Sequence, residues 1–84
     1  MRTVYKVQRL YLETQEVSDL GTYATMSEAK DRLVEAIELA YGQEQGLGCE
    51  SVRKKTDAAR RQGFHHYRDC DGTVSSWFTI LAET

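Results

Sequence analysis

The sequence lacks proline and long apolar runs, and it has only two cysteines and one tryptophan. No apolar stretch approaches the roughly 20 residues that a helix needs to cross a bilayer. The start, Met-Arg-Thr-Val-Tyr-Lys-Val, lacks the apolar core of a secretory signal. We therefore expect a cytoplasmic protein without membrane partners. In that reducing compartment, Cys49 and Cys70 are expected to stay thiols.

A strong net charge is also missing. The 84 residues include 13 acidic and 11 basic side chains, giving a net charge of −2, so there is no general attraction to nucleic acid. The charges are nevertheless separated, with an acidic stretch over residues 26–44 and a basic one over residues 53–61. The length predicts a single domain, residues 1–84, with a thin core.

The clearest local signal is a strand that passes directly into a helix. Thr25-x-x-Glu28 is a capping box, in which the Thr25 hydroxyl accepts from the Glu28 amide and the Glu28 carboxylate accepts from the Thr25 amide. Apolar residues then recur with a helical period, which predicts an amphipathic helix from Met26 to Tyr41 that ends at Gly42. Its predicted core stripe is Met26, Ala29, Leu33, Ala36, Ile37 and Ala40. Its outer side is acidic, with Glu28, Asp31, Glu35 and Glu38.

Two strands are predicted before this helix. Thr3 to Leu12 and Val17 to Tyr23 are rich in β-branched and aromatic residues, with a polar turn at Glu13 to Glu16 between them. Neither face of the first strand is purely apolar, which indicates a bulge near Gln8 or Arg9 or exposure on both sides.

A second hairpin is predicted from Phe64 to Cys70 and from Thr73 to Leu81, with a two-residue turn at Asp71-Gly72. The register that follows pairs Cys70 with Thr73, Tyr67 with Ser76, and His66 with Trp77. One face is expected to join the core: His65, Tyr67, Val74, Ser76, Phe78 and Ile80. The other is expected to be open: Phe64, His66, Arg68, Ser75, Trp77, Thr79 and Leu81.

Between the helix and this hairpin, Gly42 to Gly48 is a glycine-rich connector. Cys49 to Gln62 has only a narrow apolar stripe (Cys49, Val52, Thr56 and Ala59), so we expect a short, mobile helix or an ordered loop. The prediction is an α+β fold of the form ββα(α)ββ. A small antiparallel sheet of about four strands is covered on one face by one helix.

Two further surfaces are candidates for partner binding besides the acidic helix side. The open face carries Phe64, His66, Arg68 and Trp77, and tryptophan and arginine are enriched at binding hot spots. Alternatively, a turn of another length would reverse the two faces, or the second helix could cover this side. The basic segment has five cations that could contact phosphates; the alternative is an ordinary solvated surface. Those cations are Arg53, Lys54, Lys55, Arg60 and Arg61.

We expect no enzyme, cofactor or metal site. A zinc site at Cys49, His65, His66 and Cys70 is disfavoured, because adjacent strand residues point to opposite faces and the spacing fits no zinc pattern. His65 and Asp69 share a strand face but lie beyond hydrogen-bond reach of each other. The sequence also has no glycine-rich phosphate loop after a strand and no nucleophile elbow.

One segment resembles a known class. Gly21-Thr22-Tyr23-Ala24-Thr25-Met26-Ser27-Glu28-Ala29-Lys30, followed later by Gly63-Phe64 and a last strand, resembles short bacterial and phage domains with a strand-strand-helix-strand layout. The Ser-Glu-Ala-Lys helix start is similar to that of some small phage-encoded anti-CRISPR inhibitors. That resemblance implies a non-enzymatic protein that occupies a surface of a host defence complex. The insertion from Gly42 to Gln62 departs from the pattern, so no functional residue is carried over.

The sequence therefore leads to two functional hypotheses. The first is a phage or mobile-element protein that binds a protein or nucleoprotein complex stoichiometrically and inhibits a host defence complex. The alternative is a nucleic-acid-binding module that combines the basic segment with Phe64 and Trp77. An exposed edge strand could also pair two copies into a homodimer.

Overall fold

The computed structural model describes residues 2–84 and confirms the α+β fold. Its elements in chain order are β1 (Val4–Tyr11), β2 (Val17–Tyr23), α1 (Met26–Gln45), α2 (Arg53–Gln62), β3 (Phe64–Arg68) and β4 (Val74–Glu83). The strands form one open antiparallel sheet in the order β2-β1-β4-β3. Helix α1 packs across one face of this sheet, and α2 packs against α1 and β3.

The capping box is present at the start of α1, with one difference in its hydrogen bonds. The Glu28 amide donates to the Thr25 hydroxyl oxygen at 3.2 Å, as predicted. The Glu28 carboxylate, however, accepts from the Thr25 hydroxyl at 2.9 Å and not from the Thr25 amide. The predicted stripe of α1 is buried except for Met26, which is 38% exposed at the first helical position.

Helix α1 does not end at Gly42 as predicted. It continues for one more turn to Gln45 and is capped by Gly46 in the left-handed conformation, at φ 69°. Side chains in the added turn bond to the sheet, because Glu44 contacts Arg9 and the Gln45 amide donates to the Arg68 carbonyl at 2.7 Å. These contacts outweigh the low helix propensity of glycine at position 42.

A β-bulge interrupts the pairing of β1 with β2. Val7 pairs with Gly21 and Gln8 pairs with Asp19, which leaves Leu20 as the additional residue. The irregularity therefore lies opposite Gln8, where the sequence indicated a bulge, but the extra residue belongs to β2. Gly21 has φ 123°, and a Cβ there would lie 2.7 Å from the Tyr23 hydroxyl oxygen, so this position requires glycine.

The second hairpin has the predicted central register but a different turn. His66 pairs with Trp77 and Tyr67 with Ser76, whereas Arg68 pairs with Val74 because of a second bulge. The two-residue turn at Asp71-Gly72 is wrong, since the strands are joined by the five residues 69–73. The loop is closed by Asp69, whose amide donates to the Thr73 carbonyl at 3.0 Å and whose carboxylate accepts from the Thr73 amide at 3.2 Å. Cys70 and Thr73 therefore lie in the loop and not in the ladder.

The segment predicted as a short helix or loop forms a packed helix over its second part. Val52, Thr56 and Ala59 are buried as the apolar stripe suggested, and Cys49 is exposed. Gly63 ends α2 in the left-handed conformation and leads directly into β3. No helix within residues 2–84 is long and apolar enough to cross a bilayer.

The core lies between α1, α2 and the covered face of the sheet. The sheet contributes Val7, Tyr67, Phe78 and Ser76 to it, all at most 1% exposed. Because side chains alternate along a strand, burial of Tyr67 and Ser76 places their neighbours on the opposite face. The predicted assignment of the two faces is therefore correct for residues 64–67 and 76–80, whereas the bulge pairs Arg68 with Val74, two residues that were predicted on opposite faces.

Candidate functional site: the open face of the sheet

The sheet face turned away from the helices carries a continuous row of side chains. Val17 pairs with Leu10, Leu10 with Trp77, and Trp77 with His66, so these four residues cross all four strands in sequence. Val17 is 55% exposed and Trp77 is 40% exposed. We call this set (Val17, Leu10, Trp77 and His66) the transverse row. A row of large, exposed apolar side chains is typical of a surface that binds a ligand or a partner protein.

Three rings on this face stack on one another. The ring centroids of Phe64 and His66 are 5.4 Å apart and those of His66 and Trp77 are 4.9 Å apart, the second pair nearly parallel at 26°. We call Phe64, His66 and Trp77 the aromatic ladder. The imidazole lies between the other two rings and remains exposed, and Phe64, like Trp77, is 40% exposed. The structure thus brings together three of the four predicted open-face residues that carry an aromatic or charged side chain.

The fourth residue, Arg68, is exposed at the end of β3. Its guanidinium donates to the Gly72 carbonyl at 2.8 Å, which holds the side chain beside the hairpin loop. It therefore places a positive charge at the end of the strand that carries Phe64 and His66.

The five cations of the basic segment all lie on α2 and all are exposed. Arg60 is paired with Asp31 of α1 at 2.6 Å, and the Lys55 ammonium lies 6.0 Å from the centre of the Tyr41 ring. Only Gly63 separates α2 from β3. The basic helix is consequently adjacent to the edge strand on which the aromatic ladder begins.

The acidic outer side of α1 makes contacts within the chain. Glu28 binds its own helix cap, Asp31 binds Arg60, and Glu35 lies 3.5 Å from Arg32. Glu38 accepts a hydrogen bond from the Cys49 thiol at 3.3 Å, and this bond together with the negative charge raises the pKa of Cys49. These four predicted residues therefore have structural partners, and Asp31 links α1 to α2.

Arg9 is a buried cation that the sequence analysis did not single out. Its side chain is 8% exposed, and its terminal nitrogens donate to the two carboxylate oxygens of Glu44 at 2.8 and 3.2 Å. Its Nε donates to the Ser76 hydroxyl at 2.9 Å. The guanidinium also lies 4.5 to 4.9 Å from three ring centres, those of Tyr11, Tyr67 and Phe78. Burial alone would lower the pKa of Arg9, but the bond to Glu44 and its charge raise it above the ordinary value.

A partly buried polar pair lies where α1 meets β3. The Tyr41 hydroxyl and the His65 Nε2 are 2.8 Å apart. Burial, with a contribution from the nearby charge of Lys55, lowers the pKa of His65 to about 4, so the imidazole is neutral at physiological pH. His65 is thus a structural histidine, in contrast to the exposed His66.

The remaining concave regions have mixed linings. A cleft of about 480 Å³ between α1 and α2 is bordered by Glu38, Cys49, Arg53 and Asp57. Another, of about 450 Å³, lies at the loop end of the sheet beside Tyr11 and Glu44. Within residues 2–84, no three His, Cys, Asp or Glu side chains are placed to hold a metal ion together.

Comparison with protein families, with curated proteins and with solved structures found no match.

Proposed function

We propose that this chain is a small non-enzymatic binding protein that attaches to a macromolecular partner through the open face of its sheet. The observation that supports the proposal is the transverse row beside the aromatic ladder. An antiparallel sheet can leave one face in water when that face is polar, but here it presents half-exposed tryptophan and phenylalanine. Tryptophan is among the residues that contribute most to binding energy at interfaces.

The surroundings of the row fit a binding surface. The neighbouring row across the four strands consists of Asp19, Gln8, Thr79 and Phe64. Only Asp19 in that row is charged. Interfaces combine a charge-depleted centre with a polar rim in this way. The finer proposal, a phage or mobile-element protein that inhibits a host defence complex, is supported only by the resemblance of residues 21–30.

The test compares partner capture by three forms of the protein. The wild type, a variant with Phe64→Ala and Trp77→Ala, and the control Leu39→Ala are immobilised and exposed to host lysate. Leu39 is also an exposed apolar residue, 48% accessible, but it lies on the helix layer. Proteins or nucleic acids should be retained by the wild type and the control and lost from the double variant. Retention that is equal for all three forms, or absent from all of them, contradicts the proposal.

A further inference from the structure

We propose that the ligand of the open face is single-stranded nucleic acid, with bases on the aromatic ladder and the phosphate backbone along the edge formed by β3 and α2. This inference rests on the proposed function, because it names the partner class of the same surface. It combines the aromatic ladder with the basic helix α2, which directly precedes β3 in the chain and packs against it.

The ladder supplies the stacking surface. Phe64 and His66 are alternate residues of β3, and Trp77 is the cross-strand neighbour of His66 on β4. With His66 held between them, the outer surfaces of Phe64 and Trp77 remain available. Bases stack on such aromatic rings without regard to sequence, because every base has a π face.

The charges show where the phosphates would lie. Residues 53–68, which form α2 and β3, contain six cations and a single acid, Asp57. Residues 13–23, which form the turn and strand at the opposite edge, contain three acids and no cation. The side of the molecule formed by α2 and β3 is therefore more positive than the β2 side, although Asp69 and Asp71 follow β3 in the hairpin loop and the net charge of the chain is −2. A polyanion would be directed to the α2 and β3 side.

The same arrangement favours a single strand over a duplex. In a duplex the bases are stacked on one another and cannot reach a flat protein face, whereas splayed bases can stack on exposed rings. No lysine or arginine side chain belongs to the transverse row. The cations of α2 lie on the helix that precedes β3 and packs against it, which suits a strand with its bases on the sheet and its backbone toward α2. An acidic protein surface would satisfy the cations but would leave the stacking surface unused.

The experiment uses the fact that Trp77 is the only tryptophan in the chain. The full chain is titrated with an oligothymidylate of about 12 nucleotides, within the site sizes of single-strand binding folds. Tryptophan emission is followed in parallel with the anisotropy of a labelled oligonucleotide. We expect quenching of Trp77 and an affinity that falls about 20-fold between about 50 and 200 mM salt, as for release of about three counterions. A duplex of the same length should bind at least about 10-fold more weakly.

Two sets of variants test the two parts of the site by anisotropy. Phe64→Ala or Trp77→Ala should weaken binding about 10-fold or more, and Lys54→Gln with Arg61→Gln should weaken binding and flatten the salt dependence. The controls Leu39→Ala and Arg32→Gln, on the helix layer and on the β2 side of α1, should bind like the wild type. Lack of binding at low salt, or binding without quenching of Trp77, overturns the inference. If the oligonucleotide fails while a protein partner is still lost with Phe64→Ala and Trp77→Ala, this inference falls and the proposed function stands.

Discussion

Arg9 of β1 and Glu44 of α1 form a two-bonded ion pair on the covered side of the sheet, with nitrogen–oxygen distances of 2.8 and 3.2 Å. The pair joins the last turn of α1 to the middle of the sheet. It also accounts for the extra helical turn beyond Gly42, because Glu44 can reach the guanidinium only if the helix continues.

Removal of the Glu44 charge should destabilise the protein. Glu44→Gln leaves the buried guanidinium without its anion, and we expect a loss of about 2 kcal/mol in the free energy of unfolding. This is below the cost for a fully buried pair, because the Glu44 side chain is 47% exposed. Urea unfolding measures this loss in the free energy of unfolding. The matched control Glu35→Gln breaks the exposed pair with Arg32 and should cost less than about 0.5 kcal/mol. Equal losses in the two variants would contradict the account of Arg9.

The stability of the fold should fall in mild acid because of His65. Its pKa is about 4 in the folded protein, below the ordinary value of 6.5, so the unfolded chain binds more protons between these values. The contribution is complete above pH 6.5 and is lost as the pH falls toward about 4. Urea midpoints between pH 6.5 and about 5 should decrease for the wild type and for the control His66→Gln. The decrease should be smaller for His65→Gln. The same dependence of the urea midpoint on pH in all three proteins would exclude His65 as the cause.

The left-handed end of α1 can be tested with paired glycine substitutions. Gly46 has φ 69°, whereas Gly48 has no positive φ and neither position is crowded. Gly46→Ala should therefore cost about 1 kcal/mol, while Gly48→Ala should change stability by less than about 0.5 kcal/mol. Thermal unfolding of both variants provides the measurement. If both tolerate alanine equally well, α1 does not end at Gly46.

Much of this architecture could be predicted from local patterns. The 3.6-residue period identified α1, and the alternation in β3 and β4 assigned Tyr67 to the core and Trp77 to the open face. The errors concern one long-range contact and one set of hydrogen bonds within a loop. The last turn of α1 depends on Arg9, 35 positions away from Glu44, and the hairpin loop depends on hydrogen bonds of Asp69 that no dipeptide rule contains.

The candidate site shows the same division. The ladder residues could be placed on one face because cross-strand register follows from pairing. The position of α2 beside β3 could not be predicted, since its apolar stripe is narrow and its burial depends on the packing partners that α1 and β3 provide. Arg9 alternates with Tyr5, Val7 and Tyr11, and a charged residue within that core-facing set was the signal that could have revealed the buried pair.

The packing of α2 leads to a further prediction. Val52 and Ala59 are fully buried in the core, so the helix should be protected and not frayed. We expect amide hydrogen exchange of α2 to be slowed in the wild type and to accelerate in Val52→Ala, with a loss of about 1 to 3 kcal/mol in stability. Leu47→Ala is the control, because Leu47 is 37% exposed and its truncation should have a smaller effect. Unprotected α2 amides in the wild type would contradict the observed packing.

Backbone amide NMR can show whether single-stranded nucleic acid binds to the open face of the sheet. Spectra are recorded while the oligothymidylate is added to the full chain. The largest shift changes should occur at Phe64, His66, Arg68 and Trp77, with smaller ones along α2. Shift changes confined to the outer side of α1, around Glu28 and Glu35, or no changes at low salt, would contradict binding of single-stranded nucleic acid at the open face.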